Sequence, residues 1–96
     1  MNEMANDIND IMLDILVPAR CDKKVNEEAF SELEHILMEL KEEIKDSEVV
    51  SKKLVHVLLF VYMQLDTEAS YCEYDHPLFQ RVAKFEGILS NIFEDQ

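Results

Sequence analysis

The chain has 96 residues, enough for one domain and too few for two, since each half would have too little surface to bury. It carries 21 acidic against 9 basic residues, a formal net charge of -12 that would repel a phosphate backbone and argues against direct nucleic-acid binding. Hydrophobic residues make up 48% of it, with one glycine and two prolines, which supports a core built from helices and leaves little for tight hairpins or a disordered chain.

The first helix is expected to start at a cap on Asn6 or Asp7 and to bury Ile8, Ile11, Met12, Ile15 and Leu16, which recur at helical spacing. Pro18 is expected to end it, leaving a short element, because proline removes a donor and restricts Val17. Asp7, Asp10 and Asp14 fall three and four residues apart, an acidic stripe on the polar side.

After the linker from Pro18 to Lys24, Asn26 is the expected cap of a second helix, with Asp22 as the alternative if the helix begins early. Glu27 and Glu28 stand in its first turn, where carboxylates meet unpaired backbone N–H groups. Phe30, Leu33, Leu37, Leu40 and Ile44 alternate steps of three and four, the strongest periodic signal in the chain. The exposed side is rich in glutamate, including Glu28, Glu32, Glu39 and Glu43.

Asp46 or Ser47 is expected to cap a third helix from about Glu48, with Val50, Leu54, Val57, Leu58, Val61 and Leu65 as its main face. Val55, Leu59, Phe60 and Tyr62 fall at other angles, so this helix is apolar around most of its circumference and is expected to be central. The run from Leu54 to Leu65 is too short to cross about 30 Å of hydrocarbon and predicts no membrane span. Asp66 to Tyr74 reads equally as more helix or as a loop.

Asp75, His76 and Pro77 then supply a cap and an early-turn proline for a fourth helix buried through Leu78, Val82, Phe85, Leu89 and Ile92, with a frayed tail after Phe93. Gly87 within it costs about 1 kcal/mol relative to alanine unless another backbone approaches closely. The expected fold is all-α, a small four-helix bundle, up-and-down or orthogonal, with residues 1–96 forming one helical domain with frayed termini.

The inventory for catalysis is thin. His35 shares a face with Glu32 and Glu39 but lacks a ligand from a second helix, and Glu32-Leu33-Glu34-His35 has no second copy of the kind a di-iron bundle requires. Cys21 and Cys72 lack C-x-x-C pairing, and Cys72 with His76 offers only two zinc ligands at helical spacing. His56 is expected on the polar edge of the third helix beside Lys52. A single glycine leaves no phosphate-cradling loop or oxyanion nest. The expectation is a protein without enzymatic activity, cofactor or metal. The absence of a positive leader and of paired cysteines makes the cytoplasm its expected location.

Binding remains. One expected surface is the acidic set Asp7, Asp10, Asp14, Glu28, Glu32, Glu39 and Glu43, suited to a basic protein partner. Another is formed by Tyr71, Tyr74 and Phe79 near the start of the fourth helix, aromatics beside Glu73 and Asp75, as in interface anchors with an acidic rim. Neutralising a basic partner, as an immunity protein, an antitoxin or a phage-encoded inhibitor would, is the first expectation. A homodimer with a structural or regulatory role, sharing surplus apolar surface on the third helix, is the alternative.

Overall fold

The computed structural model describes residues 2–47 and 49–94. Four helices, α1 (Asn2–Asp22), α2 (Glu27–Ile44), α3 (Lys52–Ala69) and α4 (Pro77–Glu94), form a small four-helix bundle, and no strand occurs among the described residues. Asp95 and Gln96, most of the expected frayed tail, lie outside the described residues, as does Glu48.

Each helix is fixed by its apolar stripe. Ile8, Ile15, Phe30, Leu33, Leu37, Leu40, Leu54, Val61, Leu65, Leu78 and Phe85 have no appreciable contact with solvent and form one core. At about 25 cal/mol for each Å² of apolar surface withdrawn from water, this shared centre is the main force holding the fold. No polar or charged residue is fully buried in it among the described residues.

The packing order is not the simplest one. α1 lies against α2 and α3, and α4 lies against α2 and α3, so α2 and α3 face each other across the diagonal although they are consecutive in the chain. Lys53 Nζ donates to Asn6 Oδ1 at 2.7 Å near the start of α1 and α3, and Lys23 pairs with Glu68 near their ends, so these two helices run parallel. The ring of Tyr62 in α3 meets that of Phe85 in α4, and Val55 shares a groove with Phe93, so α3 and α4 run antiparallel. The long dimension of 38 Å suits α1, whose 21 residues span about 31 Å.

Four expectations are corrected. α1 does not begin at a cap on Asn6 or Asp7, nor does it stop at Pro18: it already includes Asn2 and continues to Asp22. It ends where Lys23 takes a left-handed conformation (φ 56°), its amide donating to the Ala19 carbonyl at 3.1 Å and that of Lys24 to the Pro18 carbonyl at 3.0 Å. α3 starts later than expected. Ser51, not Asp46 or Ser47, is its cap and accepts from the Leu54 amide, while Ser47 turns back on Val49. Val50 therefore precedes the helix, though it still packs on the core. Finally, α3 is not central but one corner of a ring, so part of its surplus apolar surface remains in water.

The ambiguous stretch divides. Asp66 to Ala69 completes α3, and Ser70 to His76 forms the connection to α4. Within the expected cap triplet, His76 does the capping: its Nδ1 accepts from the Leu78 amide at 3.0 Å, and Pro77 takes the first helical position, where its missing N–H costs nothing.

Candidate functional site: an acidic seam between the first two helices

Asn26 turns the chain from α1 into α2. Its side-chain oxygen accepts from the Ala29 amide at 3.1 Å, capping α2, and its amide nitrogen donates to the Asp14 carbonyl at 3.2 Å. That places α2 antiparallel to α1 and brings their polar sides together along a seam.

Asp7 and Asp10 from α1 and Glu32, His35 and Glu39 from α2 line an open groove of about 340 Å³, floored by Ile11 and Ile36. Asp14 stands one turn beyond Asp10, and Glu28 one turn before Glu32, so both prolong the row toward the connection; Glu43, one turn past Glu39, prolongs it the other way. Four of the seven sequence-predicted carboxylates thus line the groove, the other three fall one turn beyond them by helical spacing, and all seven are exposed.

The charge along the seam is largely uncompensated. Asp7, Asp10, Asp14, Glu28 and Glu32 meet no cation among the described residues, and Glu39 meets only His35, at 3.1 Å. Four lysine and arginine side chains form ion pairs among the described residues, and none of them does so with these five carboxylates. Arg81 of α4 reaches Glu27 at 3.3 Å and Glu34 at 3.6 Å on the opposite side of α2, with Lys84 at 3.4 Å from Glu34. Lys45 pairs with Glu42 and Lys23 with Glu68. Carboxylates grouped without cations raise a negative potential that attracts and orients a positive molecule.

Tyr71 and Tyr74 are 74% and 78% exposed, so they do not close the end of the core. They stand on the connection between α3 and α4, where Lys23 Nζ lies 5.4 Å from the Tyr71 ring centre. The fold does not join them to the groove, whose lining comes from α1 and α2 alone.

Among the described residues no three His, Cys, Asp or Glu side chains converge as a metal site would require. Cys21 and Cys72 are free thiols, and His56 is exposed. No helix among the described residues is long and apolar enough to cross a membrane.

The surplus apolar surface expected on the third helix continues onto α1, which the expected helix faces do not indicate. Leu13 and Val17 of α1 and Leu59, Phe60 and Met63 of α3 are exposed on neighbouring helices. The steps of four from Leu13 to Val17 and from Val55 through Leu59 to Met63 are its signal.

No family model matches the chain, and no curated protein and no solved structure matches it.

Proposed function

We propose that this chain is a non-enzymatic protein-binding module whose α1–α2 seam covers a basic surface of a partner protein, in the manner of an immunity protein, an antitoxin or a phage-encoded inhibitor. The observation that carries this reading is the run of exposed carboxylates Asp7, Asp10, Asp14, Glu28 and Glu32, which meet no cation among the described residues on two adjoining helices, while Lys23, Arg81 and Lys84 form their ion pairs on other faces. Such a row repels itself and gains nothing for the fold, whereas lysine and arginine side chains from a partner would relieve it. Tyr71 and Tyr74 offer two further exposed aromatic contacts of the kind that anchor interfaces.

The test is capture of partners on the immobilised chain from its native cells, followed by elution with increasing salt. A basic protein released as salt rises is the expected result, because screening weakens steering between opposite charges. The double variant Asp10→Lys, Glu32→Lys should capture none of it while retaining a helical circular dichroism spectrum. Undiminished capture by that variant would remove the seam from the reading, and loss with Tyr71→Ser alone would move the contact to the α3–α4 connection.

A further inference from the structure

A second surface, apart from the acidic seam, lies on the outer side of α3. Because only α1 and α4 flank this helix, Leu59 and Met63 stand 54% and 61% exposed along its outer line, with Phe60 toward α1. Leu13, 68% exposed on α1, is brought level with Leu59 by the contacts that tie the two parallel helices near both ends. An apolar strip spread over adjacent helices is typical of surfaces that become covered.

The charges on the same outer line say what covers it. Lys52 opens α3 and Asp66 falls in its last turn, with Leu59 seven residues from each. Fourteen residues make about four helical turns, so Lys52 and Asp66 point the same way as Leu59. Both are exposed, and neither meets an opposite charge among the described residues. Their order also opposes the helix dipole, which favours acid at the start and base at the end; α3 has no acidic residue in its first turn and no basic one in its last. This arrangement is its own complement. Turned about a two-fold axis at Leu59, a second α3 brings Asp66 over Lys52 at one end and Lys52 over Asp66 at the other, with opposed dipoles and apolar strips between.

We propose that two copies of this chain associate through α3, antiparallel about Leu59, with Lys52 of each copy paired to Asp66 of the other. The net charge of -12 on each copy opposes approach, so association requires the ionic strength of the cell, about 0.15 M, at which the Debye length falls to about 8 Å. The contact leaves the α1–α2 seam open.

Sedimentation equilibrium of the whole chain from micromolar to millimolar concentration, in about 0.15 M salt, tests this. The wild type is expected to show a reversible dimer. Leu59→Asp should be monomeric, with an unchanged helical spectrum because the residue is already about half exposed and outside the buried core. Lys52→Glu and Asp66→Lys should each dissociate at least about tenfold more readily, since the symmetry turns two attractive pairs into two repulsive ones. An equimolar mixture of these two variants should recover the dimer, because each like pair becomes an opposite pair across a mixed interface. Glu32→Lys, on the seam, should not weaken the dimer, which separates this test from that of the basic partner. A wild type that stays monomeric throughout, a Leu59→Asp dimer, or a mixture that remains monomeric would overturn the proposal.

Discussion

The side-chain amide of Asn26 donates to the main-chain carbonyl of Asp14 at 3.2 Å, the carbonyl that would have accepted from residue 18 had that residue not been proline. A proline inside a helix leaves the carbonyl four residues back without its donor, a loss of about 3 kcal/mol or more when the ring clash is included. Asn26 supplies a substitute donor from the next helix while capping that helix with its other side-chain atom.

Replacing Asn26 separates these two tasks. Asn26→Ala should lower stability by about 2 kcal/mol, combining a lost cap with a lost hydrogen bond. Asn26→Asp keeps a good cap but sets a carboxylate against the Asp14 carbonyl, so it should also be destabilising, although the two residues are equivalent at ordinary caps. Adding Pro18→Ala, which restores an N–H for Asp14, should recover part of the Asn26→Asp loss. A double-mutant cycle by urea denaturation measures the coupling, expected at about 1 kcal/mol.

Gly87 lies within α4 with nothing within 4 Å of where a Cβ would stand. No close backbone approach requires it. Gly87→Ala should therefore stabilise the protein by about 0.5–1 kcal/mol, read as a higher thermal midpoint.

Arg81 holds α4 to α2. It is mostly buried, lies 5.5 Å from the Phe30 ring centre, and faces the equally buried Glu34. Arg81→Ala should cost about 2 kcal/mol, short of the full loss for breaking a buried pair because Lys84 still reaches Glu34. Adding Glu34→Leu to Arg81→Ala should restore part of that loss, since the stranded carboxylate is then gone. Urea midpoints of the two variants decide it.

The Tyr62 hydroxyl has its pKa raised above the usual 10.0, first by burial, then by the nearby charges of Glu86 and Asp66, and by its hydrogen bond to Glu86. Folding thus favours the neutral phenol. Its contribution to stability is complete below pH 10.0, the unfolded value, and is lost as pH rises through the folded value above it. Denaturation midpoints should fall above that pH, and the fall should be smaller in Tyr62→Phe.

The acidic seam should weaken the isolated protein. Glu32→Lys is expected to raise stability by a few tenths of a kcal/mol at low salt, by relieving repulsion along the row and pairing with its neighbours. Added salt should stabilise the wild type more than the variant. Equal responses to salt in calorimetry would count against uncompensated charge along the seam.

How much of this was legible beforehand follows the range of the forces involved. Helical periodicity is local, so the stripes of Phe30 to Ile44 and Leu78 to Ile92, the cap at Asn26 and the acidic rows on the first two helices could all be read from the sequence. Even the convergence of those rows is implicit, because a short connection forces neighbouring helices to run antiparallel. Tertiary structure alone decided the rest. Pro18 stays inside α1 because a side chain eight residues further on meets the orphaned carbonyl; α3 occupies a corner because the connection from α2 crosses the bundle's diagonal, leaving Leu59 and Met63 in water. A sequence pattern states which residues must leave water but not which neighbours are there to cover them, and that choice rests on contacts between segments far apart in the chain.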